Sequence, residues 1–366
     1  MWGKCSPRPC LSVRREQSQH AKARVSFTLT FEIIDVTSEK SPNWRTGLFF
    51  LFVHLIALLA VFPWFFSWTG VALCAAGIFI FGTIGMSIGY HRLFTHRAFT
   101  CPRWLEKTIA ILGCCCGEEA PAFWVAVHRK HHHHSDGEND PHSPLSGFLW
   151  GHVGWLLVKN DELQRYKMID RYARDLKRDP FHAMLVQHDR WIYFFFGVWA
   201  LFYLAGFAAS IATGGSASEA AQFGLSLMVW GGSVRTVIVW HQTWFVNSAA
   251  HIWGYRNYET RDDSRNNVWA GLLCNGDGWH NNHHADPSSA RHGHKPWEID
   301  LSWLTIRGLM ALGFAKDVVM PSPALAARYT AGVAPHATEL EPDNGATLAP
   351  ELAVENASAA AERRPA

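Results

Sequence analysis

Four long apolar runs constrain the fold of this chain more than any other feature. They cover residues 46–66, 71–90, 192–213 and 221–246. Each run has at least 20 residues, which is enough for a helix to cross about 30 Å of hydrocarbon. The fourth run contains Arg235, which either faces a bundle interior or wet cavity, or pairs with a headgroup or a neighbouring carbonyl. The runs predict an all-α integral membrane protein with four transmembrane helices.

Basic residues predict the side of the membrane on which each segment lies. Residues 1–45 contain eight Lys or Arg, whereas the short loops 67–70 and 214–220 contain none. By the positive-inside rule, the N-terminus, the central segment 91–191 and the C-terminus are cytoplasmic. The stretch 101–127 is fairly apolar but carries several charges, so it is predicted to be an interfacial or packed helix.

The two ends of the chain differ in composition from its centre. Residues 1–45 are predicted to be a partly disordered cytosolic segment, and residues 46–320 to form the main domain. Residues 321–366 are rich in Ala, Glu and Pro without periodicity, which predicts a disordered tail. The formal net charge of +2 gives no reason to expect a nucleic-acid partner, and the eight cysteines lack the paired spacing of a disulfide framework.

Histidine motifs are the second informative feature. His91 and His96 form an H-x-x-x-x-H motif, and two H-x-x-H-H motifs follow. The latter contain His128, His131 and His132, and then His280, His283 and His284. Random placement of the 21 histidines predicts about 0.07 such matches per chain. Because positions i, i+3 and i+4 share a helix face, each H-x-x-H-H motif aims three imidazoles into one space.

These spacings predict a centre with more than one metal ion. On a helix of 3.6 residues per turn, His91 and His96 point about 140° apart, which suits two metal centres better than one. Asn247 and His251 add ligand-type side chains at i and i+4. Nine histidines exceed the four ligands of a single zinc, and two metals with four or five ligands each fit better. Imidazole binds zinc, copper, nickel and iron, so iron is a preference at this stage.

The motifs, in this order, resemble those of the membrane Δ9-type fatty acyl desaturases. The resemblance runs from about residue 46 to residue 312. Residues 279–300 are most similar to bacterial and cyanobacterial members of that family. The H-x-x-x-x-H first motif resembles the Δ9 group, whereas the Δ12 and ω-3 groups typically have H-x-x-x-H.

The resemblance implies a fold and a reaction. Four transmembrane helices would carry a cytosolic helical cap that holds two iron ions, as Fe2+ or Fe3+. The nine histidines would bind iron directly, and Asn247 would bind through a water. O2 and two electrons would be used to insert a cis double bond into a saturated acyl chain. Because an unactivated methylene offers no chemical handle, a narrow tunnel must position the chain.

The resemblance also gives roles to residues around the metal ligands. Acids would orient the imidazoles, although helix capping or surface solvation explains them equally well. These acids are Asp136, Asp140, Asp277 and Glu298. Thr243 and Trp244 would line the bend of the tunnel. Glu118 stands where related enzymes tend to carry Gln, which puts one tunnel-side hydrogen bond in question.

The substrate carrier and the electron donor stay open at this stage. Animal acyl-CoA enzymes have an Arg-Asp pair where this chain has Ala126 and Val127, so the substrate is acyl-CoA or acyl-lipid. With no His-Pro-Gly-Gly stretch in the chain, electrons would come from ferredoxin or from a b5-type cytochrome with its reductase.

One alternative function is that of a di-iron fatty acid or alkane hydroxylase. A remoter one is a metal transporter, which would need ligands at mid-membrane, where the spans hold only His54 and His241.

Overall fold

The protein is all-helical in the range that the computed structural model describes, residues 41–322. The predictions for segments 1–40 and 323–366 lie outside the described residues. Within 41–322 no strand forms, and pairing of extended backbone is limited to isolated bridges such as Pro42 with Val158. The six cysteines of this range are free. The predicted all-α fold is confirmed.

Within residues 41–322, four helices are long and apolar enough to cross a membrane. They are Trp44–Val61, Trp68–Thr95, Trp191–Ala212 and Ala217–Ile252. The second and fourth continue beyond the predicted ends, from residue 90 to Thr95 and from residue 246 to Ile252. His91 and His251, expected just after the spans, therefore lie on the last turns of these helices.

The helices between residues 41 and 322 are numbered in chain order. They are α1 (Trp44–Leu58), α2 (Trp68–Gly77), α3 (Arg103–Cys114), α4 (Pro121–His134), α5 (Phe148–His152), α6 (Arg165–Tyr172), α7 (Arg174–Arg178), α8 (Pro180–Val186), α9 (Trp191–Ala212), α10 (Ala217–Leu227), α11 (Arg235–Ile252), α12 (Val268–Leu273), α13 (His280–Ala285) and α14 (Leu301–Ala311). Two π-helical segments, Ile78–Thr95 and Met228–Val234, continue α2 and join α10 to α11.

Arg235 is fully buried inside the bundle. Its Nη1 donates to the carbonyl of Cys115 at 2.9 Å, and its Nε donates to the carbonyl of Gly231 at 3.1 Å. The guanidinium also lies 4.5 Å from the centroid of the Phe81 ring. Cys115 follows the end of α3, where carbonyls lack helical partners and carry partial negative charge. Of the sequence alternatives, Arg235 thus faces the interior and pairs with neighbouring carbonyls.

The second long helix and α3 touch backbone to backbone. A Cβ placed on Gly85 would lie 2.7 Å from the backbone nitrogen of Gly113. Small residues permit this approach between helices. One turn later, the hydroxyl of Tyr90 donates to the carbonyl of Glu119 at 3.0 Å. This crossing fixes the backbone that leads into His91.

We expect Gly85→Ala to lower the free energy of unfolding by about 1–3 kcal/mol, because the added methyl must push α3 away from the second long helix. Thermal unfolding in detergent measures this change. Gly197→Ala in α9 is the matched control, since nothing lies within 4 Å of a Cβ at that position. Equal stability of the two variants would contradict the close approach at Gly85.

Candidate metal centre

All nine motif histidines converge at one end of the long helices, in two groups. In each group, one ligand-type nitrogen per residue lies within 4.8 Å of the others. The first group is His91, His96, His128, His132 and His283, and the second is His131, His251, His280 and His284. Each group could hold a metal ion.

Both H-x-x-H-H motifs are divided between the two groups. On α4, His128 and His132 belong to the first group and His131 to the second. On α13, His283 belongs to the first group, whereas His280 and His284 belong to the second. Each motif does face one common space, as predicted, but that space contains two clusters and each motif contributes to both.

The prediction that His91 and His96 serve two metal centres is wrong. Both belong to the first group, and their ring centroids are 4.9 Å apart. The backbone N–H of His96 donates to the carbonyl of His91 at 3.2 Å, which is the i→i+5 bond of a π-helix. The prediction assumed 3.6 residues per turn. A wider turn brings residues five apart onto the same side.

The Nε2 atoms of the histidines point towards one another. His283 Nε2 lies 3.0 Å from both His91 Nε2 and His132 Nε2, and His280 Nε2 lies 3.0 Å from His284 Nε2. Neighbours at 90° on a metal with bonds of about 2.1 Å are about 3.0 Å apart, whereas tetrahedral neighbours are about 3.4 Å apart. The Nε2 atoms of the remaining histidines of the second group, His131 and His251, are buried and lack a hydrogen-bond partner among the described residues. The nitrogens are therefore spaced as a metal would space them.

Carboxylates bind the outer Nδ1 atoms of several of these rings. Nδ1 of His251 donates to Asp136 at 2.9 Å, that of His131 to Asp140 at 3.0 Å, and that of His284 to Asp262 at 2.7 Å. Asp277 lies 3.4 Å from Nδ1 of His91. A carboxylate at Nδ1 fixes the tautomer that leaves the Nε2 lone pair free for a metal.

Sequence reasoning named three of these four acids and missed Asp262. That residue lies in a polar loop after α11 and belongs to no motif. Sequence reasoning also missed His292, which is fully buried with its ring centroid 4.4 Å from that of His283. Nδ1 of His292 lies 3.3 Å from the carboxylate of Asp277.

Glu298 has a different position from the one predicted. It accepts a hydrogen bond from Asn282 Nδ2 at 2.8 Å and from the Tyr255 hydroxyl at 2.6 Å. No hydrogen bond joins it to a motif histidine among the described residues. Glu298 therefore supports α13 through Asn282, which lies between His280 and His283.

Burial keeps most of the imidazoles neutral. Burial first, and then the neighbouring histidines, hold the pKa of His128, His132, His280 and His283 well below the usual range. Burial also lowers the pKa of His284 to about 4, although Asp262 opposes it. His131 is an exception: burial lowers its pKa, but the charge and hydrogen bond of Asp140, together with the charges of Asp136 and Asp262, raise it overall. Neutral imidazole is the form that binds metals.

A cavity of about 710 Å³ leads to the first group. Its inner wall includes His128, Thr243, Trp244 and Asn247. Its polar rim is formed by Asn43, Arg45, Lys159, Asn160 and Asp161. The volume lies in the range of small-molecule sites. Thr243 and Trp244, which were predicted to line a tunnel, both line this cavity.

Glu118, for which one tunnel-side hydrogen bond was in question, accepts two hydrogen bonds. It accepts from Thr243 Oγ1 at 2.9 Å and from Trp124 Nε1 at 3.2 Å. Its side chain faces the cavity. Burial raises the pKa of Glu118 to about 8.

A family model described as fatty acid desaturase matches residues 66–298. This chain belongs to the fatty acid desaturase family. The predictions of a desaturase and of an oxidoreductase are confirmed, and so is the resemblance to cyanobacterial members.

Similar curated proteins carry related names. The chain is 39% identical over 300 residues to the sn-2 palmitoyl-lipid 9-desaturase of Nostoc sp., covering 81% of this chain and 98% of the relative. It is 40% identical over 287 residues to the sn-1 stearoyl-lipid 9-desaturase of Synechocystis sp., covering 78% and 83%. An sn-1 stearoyl-lipid 9-desaturase of Anabaena variabilis is 39% identical over 285 residues, covering 78% and 97%.

We expect Asp262→Asn to weaken metal binding by about 10- to 100-fold, because a neutral amide accepts the Nδ1 proton of His284 more weakly than the carboxylate does and no longer supplies a negative charge. Titration with a chelator, followed by elemental analysis of the retained metal, measures this loss. Asp263→Asn is the control, since only the backbone of Asp263 takes part in the hydrogen bond to Asp136. Identical metal retention in the two variants would exclude a role of Asp262 at the centre.

Proposed function

We propose that this desaturase inserts a cis double bond at position 9 of a saturated acyl chain carried by a membrane lipid, using O2 and two external electrons. The observation that carries the proposal is the cavity of about 710 Å³ that ends at the first histidine group. The names of the similar proteins support both the position of the double bond and the lipid carrier.

The nine histidines are proposed to bind two iron ions, as Fe2+ or Fe3+, one in each group. The first group contains five histidines, which is one more than the four ligands of tetrahedral zinc. Asn247 lines a smaller cavity of about 40 Å³ together with His91, His128 and His280, which has room for a bridging water. The bound iron pair would supply the activation of O2 that removes hydrogen from an unactivated methylene.

The protein's own contribution is to position the acyl chain and to exclude water. Trp244 is buried in the inner wall, where its ring stacks on Trp240 with centroids 5.7 Å apart. Thr243 and Glu118 are joined across the same wall at 2.9 Å. Because the wall is rigid, the distance from the cavity rim to His128 determines which methylenes of the acyl chain reach the metal centre.

The charges at the rim favour a lipid over acyl-CoA. Arg45 is paired with Asp189 at 2.7 Å. Arg165 binds Glu119 at 2.7 Å and also contacts Asp189. The several phosphates of a CoA headgroup require cations that are free to bind them. Carboxylates already pair both arginines, and the rim carries one further charge of each sign, Lys159 and Asp161. The rim therefore suits a headgroup with little net charge.

The orientation and the donor complete the proposal. The N-terminus, the histidine groups and the C-terminus are placed on the cytoplasmic side, since the turns joining the first to the second and the third to the fourth long helix lack Lys and Arg. A ferredoxin, or a b5-type cytochrome with its reductase, would supply the electrons from that side.

Expression of this chain in a desaturase-deficient host is expected to produce a new Δ9 monoene, and His132→Ala is expected to abolish it. The loss of a ligand should exceed the about 10- to 100-fold effect of an outer partner. Gas chromatography with mass spectrometry of total fatty acids measures the product. His133→Ala is the matched control, because His133 is exposed and belongs to neither group.

Other products would change the assignment. A hydroxylated chain would identify the hydroxylase alternative, which shares the centre but differs after the first hydrogen is removed. A double bond at another position would refute the assignment to position 9. Absence of any lipid change, in a protein with bound iron and a supplied donor, would exclude a fatty acyl substrate.

With purified protein and a reducing system, we expect desaturation of a stearoyl glycerolipid at a rate at least about tenfold above that of stearoyl-CoA, because the rim arginines in residues 41–322 are already paired with carboxylates and are not free to hold the CoA phosphates. Mass spectrometry of the intact lipid and of the intact CoA ester measures each product without hydrolysis. Faster turnover of the CoA ester would overturn the choice of carrier and leave the desaturase assignment intact.

A further inference from the structure

One carboxyl group lies in the apolar part of the cavity wall. Glu118 follows α3, and both of its oxygens are engaged by side chains of the inner wall, Thr243 at 2.9 Å and Trp124 at 3.2 Å. Its remaining exposure is towards the cavity, which Phe49, Phe50 and Trp240 also line. An acyl chain in the cavity would cover this exposed part of the carboxyl group.

The nearby ionisable groups give the Glu118 carboxylate no counter-charge. Glu119 is already paired with Arg165 at 2.7 Å, and Arg235 is bound to the carbonyl of Cys115 at 2.9 Å. His128 stacks against the ring of Trp124, with centroids 5.0 Å apart. The other ionisable residues that line the cavity are Arg45, His142, Lys159, Asp161 and Tyr166. No ion pair joins any cation of residues 41–322 to Glu118.

The hydrogen bonds around Glu118 are also complete when it is protonated. Its O–H can donate to Thr243 Oγ1, whose own hydrogen then goes to the carbonyl of Val239 at 3.3 Å. The pKa of about 8 makes this neutral form the main one at pH 7. A charged carboxylate, by contrast, would be shut off from solvent by an incoming acyl chain, which is costly without a counter-ion.

We propose that Glu118 is a protonation-dependent binding determinant, so that the cavity accepts a saturated acyl chain only while this carboxyl group is neutral. The proposal rests on the proposed function, because it takes an acyl chain as the occupant of the cavity. Only the fraction of protein with neutral Glu118 is competent to bind. Raising the pH from 7 to 9 therefore weakens the apparent affinity by about tenfold.

Linkage gives a test that needs no turnover. If the acyl chain binds only the protein with neutral Glu118, bound lipid must raise the pKa of Glu118 by the same coupling free energy. Infrared titration of the carbonyl stretch of a protonated carboxyl group measures this change of pKa. The protein is kept oxidised and is held in digitonin, a detergent without an alkyl chain. The band that disappears in Glu118→Gln belongs to Glu118. Glu259→Gln, at an exposed position, should keep it.

We expect the midpoint of this band to move to higher pH when stearoyl glycerolipid is added. We also expect the KM for that lipid to rise between pH 7 and pH 9 in the wild type and to stay constant in Glu118→Gln. An unchanged midpoint with saturating lipid, or a KM that rises equally in both proteins, would overturn the proposal. A shifted midpoint without formation of monoene would instead refute the proposed function and leave the binding role of Glu118 standing.

Discussion

The convergence of nine imidazoles in a buried space is the constraint on which the rest of the structure depends. Buried polar atoms without partners are costly. In this protein the outer nitrogens of several rings are bound by Asp136, Asp140 and Asp262, whereas the inner nitrogens face one another. The acids therefore hold the rings in one tautomer. The inner nitrogens are left with lone pairs that a metal would satisfy.

The long helices serve to bring these rings to one place. The second and fourth extend past their apolar runs and carry His91 and His251 on their last turns. The approach of Gly85 to the α3 backbone and the bond of Arg235 to the carbonyl of Cys115, just after α3, hold α3 against the second and fourth long helices. Stability of the bundle and geometry of the centre are therefore linked through α3.

The cavity also places charged and polar side chains beside an apolar wall. Its rim arginines are paired with acids, while Glu118 in its wall has hydrogen-bond partners but no counter-ion. In a wall that must be apolar to accept methylenes, the neutral form of a carboxyl group costs least. The same low polarity that suits a lipid chain therefore controls the charge of the residue beside it.

The sequence by itself determined the helical membrane fold, the four spans and the nine histidines, because hydrophobic run length and motif spacing are local properties. It also identified Asp136, Asp140 and Asp277 beside them. Only the tertiary structure decided how the histidines divide into two groups, since a π-helical turn moved His96 beside His91. It alone brought in Asp262 and His292, which meet the centre through long-range packing. Such contacts depend on how distant segments meet, and no local pattern encodes them.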